Sequence, residues 1–188
     1  MAETGAGPAA RATQLIGIAI PTLRELRAAI LASIATGTGG DTEGIDALRA
    51  AGYAGGEAVY DAFEHWLAED ATSSVSSGSP QDLTLPEFGE LAARYFHAAG
   101  WGLVEFDPGR EQRVATLAME DCWEADSAGN EAAPSCHVTT GMLAAFFGQL
   151  AGYPISVMET ECCSAGANRC RFLLGNAEVM AFKWEQLR

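Results

Sequence analysis

Basic side chains are scarce in this chain: 11 Lys and Arg stand against 25 Asp and Glu, for a formal net charge of −14 over 188 residues. A phosphate-neutralising surface needs clustered cations, and no basic stripe is visible, so direct nucleic-acid binding is disfavoured. Long apolar runs are missing too. The longest, such as Leu15 to Pro21 and Ala28 to Ala35, fall well short of the roughly 20 residues that cross a bilayer, and no membrane span is predicted. No basic region precedes an apolar stretch at the N-terminus, where Glu3 is the first charged side chain, so a secretory signal is unsupported and the chain is read as cytoplasmic. No Gly-x-Gly-x-x-Gly or phosphate loop occurs, and Gly52, Gly55 and Gly56 follow a helix-like segment, which leaves nucleotide binding without a motif. His65, His97 and His137 are scattered, and no Ser-His-Asp grouping has a motif context. No catalytic constellation is found.

What is present suits one domain over residues 1–188, since a chain of this size hides roughly 70% of its unfolded surface. Residues 1–8 read as a frayed end and the Ser-rich 71–82 as a loop. Leu23, Leu26, Ile30 and Ile34 recur at helical spacing, ended by the Gly-rich 36–40, and predict a core or dimer helix. Val59, Phe63, Trp66 and Leu67 predict a second helix. Thr84 with Glu87 forms a capping box ahead of a helix whose apolar face is Phe88, Leu91, Tyr95 and Phe96. Asp107-Pro108-Gly109 between two apolar runs predicts a β-hairpin, and Ile155–Glu161 with Arg169–Leu174 predicts another across a helix that starts at Cys136. The expected fold is α+β, a four-stranded antiparallel sheet in a hairpin, helix, hairpin order with the N-terminal helices on one face.

Five cysteines is an odd number, and in a reducing compartment thiols are more often buried, metal-bound or catalytic than bridged. Cys136, Glu159, Cys162 and Cys170 offer three thiolates and a carboxylate, a donor set suited to zinc; the alternative is a group of ordinary buried cysteines. Cys136 would open its helix, where unsatisfied N–H groups and the dipole favour a thiolate. Glu159 and Cys162 differ by an odd offset, so a bulge or strand end near Glu161 is required for both to face one ion. Cys162 and Cys163 point oppositely for the same reason, and only one can ligate. Arg169, Arg171 or loop amides near Gly166 would balance the charge, and His137 is a fallback ligand.

The stretch Cys-His-Val-Thr-Thr-Gly-Met-Leu-Ala-Ala-Phe-Phe-Gly at 136–148, followed by Glu-Thr-Glu-Cys-Cys-Ser-Ala-Gly-Ala-Asn-Arg-Cys-Arg-Phe at 159–172, resembles the 4-vinyl-reductase domain family, whose members include sensor domains of aromatic-responsive regulators, accessory proteins of bacteriochlorophyll synthesis and distant vesicle-tethering subunits. Arg-Ala-Ala-Gly-Tyr-Ala-Gly-Gly at 49–56 and Ala-Ala-Gly-Trp-Gly at 98–102 extend the likeness. The resemblance assigns the thiolate role to Cys162 rather than Cys163, and makes the zinc structural because four protein ligands leave no open position. It also implies a cavity for a small hydrophobic or aromatic molecule, lined by Trp123, Trp101, Phe106, Tyr95 and Phe147, with Tyr153 nearby.

The function expected on this basis is a stand-alone, zinc-stabilised, sensor-like binding module that forms a homodimer through its N-terminal helices and signals to a separate downstream protein. The alternatives are an accessory protein for vinyl reduction in tetrapyrrole synthesis, and a scaffold or tethering subunit without ligand.

Overall fold

The computed structural model describes residues 18–35, 40–69, 79–109, 114–126, 128–129 and 131–187. The expected frayed end at 1–8 and residues 71–78 of the expected loop lie outside them. Helix α1 spans Ile20–Ala35, α2 Gly40–Glu69 and α3 Leu85–Ala98, followed by strands β1 Leu103–Asp107 and β2 Ala115–Glu120. Helix α4, His137–Ala151, then leads to β3 Ser156–Glu161, β4 Cys170–Gly175 and a final helix α5, Ala177–Leu187. Short 3-10 turns occupy Pro80–Asp82 and Cys163–Ala165.

The sheet is antiparallel throughout, in the order β1-β2-β4-β3. Period-two alternation sends Leu117, Met119, Cys170, Phe172 and Leu174 into the core, while Arg171 and Leu173 are only part-buried. Between β3 and β4 the register slips: Glu159 opposes Phe172 and Glu161 opposes Arg171, so Thr160 is the extra residue of a bulge. This is the irregularity that the odd Glu159 to Cys162 offset demands.

Helix α4 lies between α2 and the sheet, and for that reason is apolar around most of its circumference. Its Phe146 is fully buried and meets the rings of Tyr60, Phe63, Phe88, Phe96 and Phe147 at 5.1 to 6.3 Å. The α2–α4 crossing is unusually close. A Cβ on Gly52 would stand 2.1 Å from the Val138 carbonyl oxygen, and one on Gly141 would stand 2.0 Å from that of Arg49. Glycine costs about 1 kcal/mol against alanine inside a helix, and here close backbone approach offsets that cost. The glycine cluster therefore lies inside the 30-residue α2 rather than after a helix. No helix among the described residues is long and apolar enough to cross a membrane.

Candidate metal centre and ligand cleft

Cys136 is the N-cap of α4, but its side chain makes no capping bond, which leaves the sulfur free to face the core. The capping role falls to Glu124, whose side chain is fully buried; Oε1 accepts from Val138 N–H at 3.0 Å and Oε2 from Thr139 N–H at 2.7 Å. Helix α1 fixes this loop from outside. Arg27 Nε donates to Glu124 Oε1 at 3.2 Å and another Arg27 nitrogen donates to the Ser135 carbonyl at 2.6 Å, while Arg24 donates to the carbonyls of Trp123 and Ala125.

The bulge on β3 and the turn that follows bring Glu159 and Cys162 to the same place as Cys136 and the first residue of β4, Cys170. The four donor atoms lie within 4.8 Å of one another, and the three sulfurs are wholly buried. Cys136 Sγ is 3.7 Å from Cys162 Sγ and 3.8 Å from Cys170 Sγ. Glu159 Oε2 accepts from Cys136 N–H at 2.8 Å, whereas Glu159 Oε1 is buried without a hydrogen-bond partner. Such an orphaned oxygen facing three thiols is what a cation would satisfy. The group could hold a metal ion.

Electrostatics agree with a site short of positive charge. Burial and the neighbouring Cys162 push the Glu159 carboxyl up to about 8. Hydrogen bonds from Cys136 and Cys170 hold the Cys162 thiol far below its usual range, while hydrogen bonds with Cys122, Cys162 and Cys170 push Cys136 well above it. Burial, with Arg49 and Arg27 nearby, lowers His137 to about 4, and His137 is not one of the clustered donors.

The expected balancing arginines point elsewhere. Arg169 pairs with Glu105 at 3.0 Å, and Arg171, on the opposite face of β4 from Cys170, pairs with Glu161 at 3.0 Å. The donors to the sulfurs are instead local: Cys163 N–H reaches Cys170 Sγ at 3.4 Å, and Ser135 Oγ lies 3.9 Å from Cys162 Sγ. Two residues that no sequence pattern singles out stand beside the centre. Glu124 is one, and Cys122 is the other, with Sγ 3.9 Å from Cys136 Sγ. Neither has a spacing signal, since their partners lie 14 to 97 residues away.

The aromatic residues expected around one cavity occupy three places. Phe106 and Phe147 stack at 5.5 Å and line an apolar cleft of about 510 Å³ with Phe88, Leu150, Ile155 and Leu174. Tyr153 is in the same lining. Tyr95 sits at the α2–α3 seam, where its hydroxyl donates to the Val59 carbonyl at 3.1 Å. Trp101 and Trp123 meet edge to face at 5.7 Å near the metal loop, and the buried Trp123 Nε1 has no partner.

Residues 116–176, the stretch from β2 to the end of β4 that supplies all four clustered donors, match the 4-vinyl-reductase domain model. The chain carries a 4-vinyl-reductase domain. Its fold matches the phenol-responsive sensory domain of the transcription activator PoxR, solved with phenol, at a TM-score of 0.63 and 16% identity, covering 89% of this chain and 81% of that one. A vinyl-4-reductase family protein from Methanocaldococcus jannaschii aligns at a TM-score of 0.54 and 15% identity, with 86% and 83% covered. A trafficking protein particle complex subunit 3 from Naegleria fowleri, covalently bound to palmitic acid, aligns at 0.59 and 9%, with 83% and 93% covered. No curated protein sequence matches the chain. The 4-vinyl-reductase stretch thus contains the metal cluster and three of the four strands, while α1, α2 and α3 lie before it.

Proposed function

We propose that this 4-vinyl-reductase-domain chain acts as one domain and is a zinc-stabilised, sensor-like module for a small hydrophobic or aromatic molecule. The observation that carries the ligand reading is the apolar cleft of about 510 Å³ walled by the stacked Phe106 and Phe147, a volume within the range of small-molecule sites. The phenol-responsive fold relative supports the same class of ligand.

Zinc is the ion that the donors favour. Zn–S bonds near 2.3 Å place tetrahedral sulfurs about 3.8 Å apart, and the Cys136 contacts with Cys162 and Cys170 are 3.7 and 3.8 Å. Cys136, Glu159, Cys162 and Cys170 would be its four ligands, tying the start of α4 to the β3–β4 hairpin. With four protein ligands the ion is structural, and bound zinc would supply folding free energy rather than an open coordination position.

A homodimer through α1 fits the exposure of Ile20, Leu26 and Ile30 on that helix, and cytoplasmic residence fits five free cysteines. Native and denaturing mass spectrometry of purified protein test the whole reading. One zinc and an extra mass of an aromatic compound are expected in the native spectrum. A bound acyl chain would favour the tethering-subunit alternative, a porphyrin the tetrapyrrole accessory role, and absence of zinc would overturn the metal assignment.

A further inference from the structure

All five cysteines of the chain converge on one place, although a tetrahedral zinc with one carboxylate uses only three of them. Cys122 is the buried spare. It follows Asp121, a non-glycine residue in the left-handed region at φ 53°, and that turn directs the thiol inward. Its sulfur lies 3.9 Å from Cys136 Sγ and also interacts with Cys170, while Thr139 Oγ1 stands 3.9 Å away. Cys136 and Cys170 are themselves 3.8 Å apart, so Cys122 adds a second, sulfur-only group across the edge they share. Glu159 belongs to the other group, where it accepts from the Cys136 N–H.

This second group has an approach from solvent. A cleft of about 560 Å³ on the α1 side is lined by Ile20, Arg24, Asp121, Cys122, Cys163 and Asn168, among others. Cys163 is part-exposed there, and its own N–H contacts Cys170 Sγ. An ion entering this cleft meets first an accessible thiol and then a buried thiol next to two more. Donors that are all sulfur, with no hard oxygen ligand, select soft closed-shell ions over calcium, magnesium or manganese.

We propose that Cys122, Cys136 and Cys170 form a second metal-binding face for a soft monovalent ion of the copper(I) class, reached through the cleft that Cys122 and Cys163 line. The face shares two thiolates with the zinc group, so loading one disturbs the other. Binding is a ligand exchange without a redox step: each thiol that ligates releases its proton to buffer, and copper leaves the ligand that delivered it.

The test is an anaerobic competition titration of the reduced full chain with Cu⁺ held by a chromogenic chelator, alongside zinc analysis of the untreated protein. Wild type is expected to take Cu⁺ from the chelator, and Cys122→Ser to bind it at least tenfold more weakly while retaining the wild-type zinc content and circular dichroism. Cys163→Ser is expected to slow uptake without changing the end point. Equal Cu⁺ affinity in wild type and Cys122→Ser would overturn the proposal, as would a parallel loss of zinc in Cys122→Ser, which would make Cys122 a ligand of the resident ion. Zinc-free wild-type protein whose Cu⁺ binding still depends on Cys122 would support this face and count against the zinc assignment alone. Should Cys122→Ser fail to fold, Cys122→Ala is titrated in its place, with the same two results deciding.

Discussion

Arg27 and Glu124 lie 97 residues apart in sequence, yet their side chains meet at 3.2 Å, with the carboxylate fully buried and the guanidinium nearly so. The same carboxylate closes the first turn of α4, and the same guanidinium holds the carbonyl just before Cys136. Helix α1 is thereby tied to the segment that presents the first thiol.

Removing one member of that pair strands the other. Arg27→Ala leaves an uncompensated buried carboxylate, and a loss of about 3 kcal/mol is expected. Urea unfolding monitored by circular dichroism checks it. A change below about 0.5 kcal/mol would show that the pair contributes nothing measurable.

Cys170→Ser should abolish stoichiometric metal and cost several kcal/mol, because metal bound only by the folded state is folding free energy. Elemental analysis and thermal melts with and without a strong chelator decide it. The chelated wild type should melt near the variant, and the variant should ignore the chelator.

The helix crossing gives a paired test. Gly141→Ala would drive a Cβ into the Arg49 carbonyl and is expected to cost about 3 kcal/mol or more. Gly55→Ala, on the facing helix α2 but with open space at its Cβ, is expected to stabilise by about 0.5 to 1 kcal/mol. Equal effects at the two positions would contradict the close approach of α2 and α4.

Burial raises the Tyr95 hydroxyl from its ordinary value of 10 to about 12. A folded value above the unfolded one means that the neutral phenol is favoured in the native state. Its contribution is complete below pH 10 and is lost as pH climbs toward 12. Phenolate absorbance followed with unfolding midpoints across that window should show a decline that is smaller in Tyr95→Phe, which also forfeits the bond to Val59, worth about 1 kcal/mol.

Local chemistry in this chain was readable. The Thr84 and Glu87 pair closes the reciprocal cap expected of it, with Thr84 N–H donating to Glu87 Oε2 at 3.0 Å, and Asp107 Oδ1 accepts from Gly109 N–H at 3.0 Å in the first hairpin turn. The need for a bulge near Glu161 also followed from a count of residues between two donors. What was not readable lies in contacts that skip long stretches of chain. Glu124 carries no pattern that announces a helix cap 14 residues on, and Cys122 has no partner at short spacing. The aromatic residues illustrate a different limit, since apolar character marks them for the interior without saying whether Phe106, Tyr95 or Trp101 will border a cleft or fill a seam.

Thr160 carries no donor to the metal group, and its hydroxyl lies 3.3 Å from the Arg171 carbonyl. Its importance is arithmetic. Deleting it would let β3 and β4 run as an uninterrupted ladder, and would turn every side chain upstream of the deletion half a revolution relative to Cys162. The Glu159 carboxylate would then face bulk water and its neighbours would trade faces, with no change in the kinds of residue present. The centre is therefore written in chain length as much as in composition, and a one-residue insertion or deletion on this strand should be more damaging than most substitutions there.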